Sequence, residues 1–113
     1  MSDKLIISVD PQIAALVPAF LANRAADVGK IRAALANADF ETVRVTAHGM
    51  KGAVGGYGFP EITRLGAAME EGAMRRDVDA IGVLVASLEA YLTRIEFIPD
   101  EGSTRRRLTF NAS

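Results

Sequence analysis

The chain has 113 residues, the size of one average domain, with 13 Lys+Arg against 14 Asp+Glu and a net charge of −1. Half of its residues are hydrophobic, which is ample for a core and argues against disorder. It has no Cys and a single His. That excludes disulfides, thiolate chemistry and His-rich metal sites, and the balanced charge gives no reason to expect nucleic acid as a partner.

The N-terminal segment has Asp3, one Lys and a short apolar run, which does not read as a signal peptide. Leu5 to Val9 is the one stretch that alternates at period two. It is short and isolated, so residues 1–9 are expected to pack as an extended arm over the end of a bundle, not as a strand. Asp10-Pro11 is a helix start, a capping side chain followed by Pro at the first helical position. The first predicted helix runs over 11–37 on Ile13, Leu16, Val17, Phe20, Leu21, Val28, Ile31 and Leu35, with a kink or restart at Pro18. Its apolar run from Ile13 to Ala22 is ten residues long, too short to span a membrane.

Asn37-Ala38-Asp39 is a turn in which Asp39 caps a second helix, 40–55, carrying Val43, Ala47, Met50 and Val54 on one stripe. Gly55 to Pro60 separates it from a third helix, 60–75, with Ile62, Leu65 and Met69. After the Arg75-Arg76-Asp77 turn comes the clearest stripe, Ile81, Leu84, Val85, Leu88, Tyr91, Leu92 and Ile95, in a helix over 78–98 closed by Pro99. Gly102-Ser103 opens a polar tail, 99–113, whose Arg105-Arg106-Arg107 run is expected to be a solvated terminus. Short connections make successive helices antiparallel neighbours. The pattern therefore predicts an all-α fold, an up-down-up-down antiparallel four-helix bundle over 10–98, within a single domain 1–113. Each apolar stripe is used by a neighbouring helix, so a monomer is expected.

One place breaks this local logic. Gly49, Gly52, Gly55 and Gly56 crowd into the second helix and its end. At ~1 kcal/mol per helical Gly relative to Ala, they cost about 3–4 kcal/mol, a large share of a typical stability of roughly 5–15 kcal/mol. Such violations tend to mark functional sites. The only His, His48, sits inside the cluster, with Arg44 one turn behind, Lys51 three residues ahead and Gly52 one turn ahead. His48 lies at the edge of the Ala47/Met50 stripe, partly in solvent, where missing side chains let another protein's active site approach. A neutral imidazole is a fair nucleophile near neutral pH. A phosphoryl group on it would be anionic, and the Lys51 cation would stabilise it. The other ring nitrogen needs an acceptor to fix the tautomer. Folding back around a turn near Gly58 brings residues 68–70 opposite His48, which points to Glu70, with Glu71 as the near alternative.

Ala47-His48-Gly49-Met50-Lys51-Gly52, followed by Gly55, Gly58 and Phe59, resembles the signature of histidine-containing phosphotransfer (HPt) domains. It is also similar to the phosphoacceptor domain of chemotaxis histidine kinases. The resemblance implies a four-helix bundle whose His is phosphorylated on Nε2 and exchanges the phosphoryl group with an Asp of a response-regulator receiver domain. Carried over, His48 is the phosphoacceptor, Lys51 supports the phosphoryl group, Gly52 leaves it room, and Glu70 matches the glutamate that orients the imidazole. The family position after the His is commonly polar; here it is Gly49.

Nothing in the chain reads as an ATP site or as an acidic cluster for its own Mg²⁺. The expectation is a cytoplasmic carrier without a cofactor of its own, whose partner, a receiver domain or histidine kinase, supplies the Mg²⁺. The expected docking surface comprises Arg44, Gly49, Gly52, Gly55, Arg64 and Ala68. The competing expectation is an unphosphorylated bundle that docks on a receiver or kinase and inhibits it.

Overall fold

A computed structural model of the chain describes residues 4–53, 59–99 and 108–109. Gly55, Gly56, Gly58 and the Arg105–Arg107 run lie outside the described residues. The elements in order are β1 (Leu5–Val9), α1 (Pro11–Ala14), α2 (Val17–Ala36), α3 (Phe40–Ala53), α4 (Pro60–Met74), α5 (Val78–Arg94), β2 (Ile95–Pro99) and β3 (Leu108–Thr109).

The fold is mostly helical, and the helix starts obey the local rules. Asp10 accepts a hydrogen bond from Gln12 N at 2.8 Å, with Pro11 in the first turn of α1. Asp39 accepts from Thr42 N at 3.1 Å and from Thr42 Oγ1 at 2.6 Å. Asp77 accepts from Ala80 N at 3.1 Å. The predicted 11–37 helix is divided: α1 stops after one turn, and α2 restarts with Pro18 in its first turn, where no backbone donor is needed.

The α2–α3 and α4–α5 turns are built alike. Ala38 and Arg76 take left-handed backbone, φ 52° and 55°. Asp39 N returns to Ala34 O at 2.8 Å, and Asp77 N returns to Gly72 O at 2.9 Å. This is the Schellman pattern, and in both turns the residue that closes one helix caps the next. Three-residue connections of this kind fix the helix neighbours tightly.

The long helices pack in a ring, α2 on α3, α3 on α4, α4 on α5 and α5 on α2. Leu21, Ile31, Met50, Ile62, Leu65, Met69, Ile81, Leu88 and Leu92 are fully buried among them. Phe59 at the start of α4 stacks on Phe20 of α2 with ring centroids 5.9 Å apart, and the Arg24 guanidinium lies 5.0 Å from the Phe20 ring.

The chain ends depart from expectation. Residues 5–9 are a strand and not a loose arm: β1 pairs in parallel with β2, Leu5 opposite Ile95 through Val9 opposite Pro99. Accordingly α5 ends at Arg94, and Pro99 ends a strand instead of a helix. Part of the expected polar tail, β3, adds antiparallel to β2, Phe97 opposite Leu108. The physical reason is non-local. Ile95 belongs both to the helical stripe of α5 and to the alternation Ile95, Phe97, both fully buried. The partner that turns this alternation into a ladder lies some 90 positions earlier, separated by the whole bundle, as parallel pairing requires.

Candidate functional site

His48 is carried by α3 and Glu70 by α4. The His48 Nδ1 to Glu70 Oε2 distance is 2.9 Å, and Lys51 Nζ lies 2.9 Å from Glu70 Oε1. One carboxylate therefore bridges the two groups, one oxygen to each. Glu71 instead reaches Arg75 at 3.5 Å, so Glu70 is the acid that faces His48.

The bridge sits in graded exposure. The Glu70 side chain is 15% exposed, that of Lys51 39% and that of His48 63%. The hydrogen bonds from Lys51 and then from His48 hold the Glu70 carboxyl below its usual range. An ionised carboxylate can only accept, so in the neutral imidazole Nδ1 carries the ring proton and Nε2 keeps its lone pair. No hydrogen bond to Nε2 is found among the described residues, and the imidazole as a whole is largely exposed.

Other predicted residues fall less simply. Arg44 is engaged twice by Glu41, Nε to Oε1 at 3.0 Å and Nη2 to Oε2 at 2.7 Å. Glu41, and more weakly Glu70, raise its already high pKa. It thus contributes field to the site but no hydrogen bond. Arg64 makes the same fork to Glu61, and Glu61 lines a cavity with Ser87, Tyr91 and Arg94 on the α5 side. Ala68 lies two residues from Glu70, about 200° around the helix. Among the described residues, neither Arg64 nor Ala68 makes a hydrogen bond or ion pair with His48. Gly49 is open: a Cβ there would meet nothing within 4 Å. Gly52 lies in the last turn of α3.

Two features escaped the sequence reading. Val45 is 54% exposed and lies three residues before His48, on the flank turned away from Glu70. Its signal was a large apolar residue off the Val43/Ala47/Met50 stripe. Gly66, buried in the middle of α4, faces the α3 backbone: a Cβ would sit 3.1 Å from both Ala47 O and Lys51 N. Its signal was a glycine inside a helix with no turn nearby.

Among the described residues, no three His, Cys, Asp or Glu side chains converge as metal ligands, and no helix is long and apolar enough to cross a membrane. Residues 15–96 match the family model of the Hpt domain. No curated protein and no solved structure matches the chain significantly.

Proposed function

The chain belongs to the Hpt domain family, whose members carry out histidine phosphotransfer in phosphorelays, and from that premise we propose that His48 is its phosphoacceptor. Glu70 orients the imidazole and Lys51 compensates the charge of the adduct. The observation that carries this reading is the 2.9 Å bond at Nδ1 of an exposed side chain, which leaves Nε2 as the lone-pair nitrogen of the neutral ring.

The transfer step follows from that geometry. The Nε2 lone pair attacks the phosphorus of an aspartyl phosphate on a receiver domain. An N–P bond forms as the P–O bond to the aspartate breaks, and the Asp carboxylate leaves with the bonding pair. The Nδ1 proton stays in its bond to Glu70, which stabilises the imidazolium character of the product. Lys51, already held beside the ring, needs only a rotamer change to meet the new phosphoryl oxygens. Little covalent chemistry is asked of the protein, because in-line phosphoryl transfer needs mainly positioning and charge compensation. Return of the group to a receiver runs the same path backwards.

Hpt domains interact with response regulators and kinases. The partner here is a receiver domain or a histidine kinase, which supplies the Mg²⁺ and the acidic pocket; this chain has no cofactor of its own. Val45, Gly49, Gly52 and Arg44 form the docking surface around His48. The carrier is a cytoplasmic monomer, one domain over 1–113 built on an up-down-up-down four-helix bundle, with no membrane or nucleic-acid partner.

The test is incubation with a phosphorylated receiver domain. Wild type is expected to take up acid-labile, alkali-stable phosphate, and His48→Gln none. An unlabelled wild type that still binds the receiver would make it a docking inhibitor instead, and label on His48→Gln would place the acceptor elsewhere.

A further inference from the structure

The bridge from Glu70 to both His48 and Lys51 demands a particular spacing between α3 and α4, and something must set that spacing. Gly66, one turn before Glu70, carries no side chain where α4 meets α3. A Cβ on Gly66 would lie 3.1 Å from Ala47 O, 3.1 Å from Lys51 N and 3.4 Å from Lys51 Cα. These atoms belong to the turn of α3 that encloses His48, and Ala47 O and Lys51 N stand in the i, i+4 relation of a helical backbone bond. The helices therefore touch backbone to backbone immediately beneath the reactive ring. Unlike a flexible side chain, the α3 backbone cannot rotate out of the way.

We propose that Gly66 is a positioning residue for the phosphoacceptor: its bare Cα sets the α3–α4 spacing at which one carboxylate spans Nδ1 of His48 and Nζ of Lys51. The proposal rests on the reading of His48 as phosphoacceptor and extends it. A methyl at position 66 wedges α4 away from α3. Both bonds from Glu70 are 2.9 Å, so a shift of a few tenths of an ångström stretches them to the edge of useful hydrogen-bond length. The ring then loses its fixed tautomer, and Lys51 loses its post beside it. Gly72, also buried in α4, is the natural comparison. Its added Cβ would meet only side-chain carbons of Ile81 on α5, the nearer at 3.0 Å, so it perturbs α4 packing without touching α3.

The experiment uses the full chain with Gly66→Ala, Gly66→Val, Gly72→Ala, Glu70→Ala and the Gly66→Ala/Glu70→Ala double variant, each checked for fold by circular dichroism. Nitrogen-15 NMR of the imidazole reports the tautomer without any partner. Transfer from a phosphorylated receiver domain reports the rate. Wild type is expected in the Nδ1–H form, and Gly66→Ala in a mixture of the two tautomers. The transfer rate of Gly66→Ala should fall roughly 10-fold, as expected when a group orienting an imidazole is disturbed. Gly66→Val should fall further, and the double variant no further than Glu70→Ala alone, because both act through one carboxylate. Gly72→Ala should keep the tautomer and the rate. An unchanged tautomer in folded Gly66→Ala overturns the proposal, as does a rate loss that adds in full to that of Glu70→Ala. Should wild type take no phosphoryl group while its tautomer still depends on Gly66, the transfer reading falls and the positioning role stands.

Discussion

At the residue scale, one carboxylate bridges the His48 ring and the Lys51 ammonium, and its protonation state can be followed directly. Lys51 and His48 depress the Glu70 carboxyl below the ordinary glutamate value of 4.5. The sign follows from linkage: a depressed native value contributes stability above the unfolded value, and that contribution is lost as pH falls through the native one. The bridge should therefore persist at pH 4.5 and open only in more acidic solution. Carbon-13 titration of the Glu70 carboxyl should show a midpoint beneath 4.5, and one at or above it would mean that the bridge does not form. Glu70→Gln keeps the shape and removes the charge. Its transfer rate should fall roughly 10- to 100-fold, the usual cost of losing the carboxylate that orients an imidazole. Its unfolding midpoint should move little, since the bridge lies at the surface. Comparing initial transfer rates with thermal midpoints separates the two effects.

At the element scale, α3 carries both the site and the helix-breaking residues, and the cause differs from one glycine to the next. Gly49 has open space where a side chain would be, so nothing inside the molecule requires it. Gly49→Ala should raise stability by about 1 kcal/mol through helix propensity, visible in denaturant unfolding, while slowing transfer to a receiver that must approach closely. If transfer were untouched, Gly49 would have no part in docking. The turns offer the opposite case. Ala38 holds a left-handed backbone, φ 52°, which costs a residue with a Cβ roughly 1 kcal/mol. Ala38→Gly should thus raise the thermal midpoint by a few degrees. Arg76→Gly should gain less, because Arg76 also lies 5.5 Å from the Phe40 ring centroid.

These elements also show why the sequence was readable where it was. His48, Lys51 and Glu70 stand out because reactive residue types at helical spacing fall where glycines break propensity, and a short turn leaves only two choices for the facing acid. The caps at Asp10, Asp39 and Asp77 are local and legible for the same reason. Gly66 was hidden because its role is defined by the backbone of another helix. Arg64 and Ala68 are less legible, because helical spacing alone does not say which side of α4 meets α3. The strands were hidden because β1 has no neighbour in sequence to pair with.

At the scale of the whole molecule, the His48 site and the small sheet belong to different parts of the chain. The family match covers residues 15–96, so β1 and the last three residues of β2 lie beyond it. The strands nevertheless join the bundle, for Leu5 of β1 lines a cavity of about 450 Å³ with Glu61 of α4 and Ser87, Ala90, Tyr91 and Arg94 of α5. Tyr91 is the titratable probe of that junction. Burial, and then the nearby Glu61 carboxylate, push its phenol up to about 12 from the ordinary 10. The raised native value means that the unfolded chain releases this proton first. Its contribution to stability is fully present below pH 10 and is lost as pH rises towards about 12. Alkaline unfolding followed by circular dichroism should thus begin as the pH enters that window. Tyr91→Phe, which keeps the ring and removes the ionisable group, should move the alkaline midpoint upward. Because the window lies far above the range in which Glu70 titrates, the tautomer of His48 at neutral pH should be the same in Tyr91→Phe as in wild type. A changed tautomer would show that the junction of strands and bundle is coupled to the site.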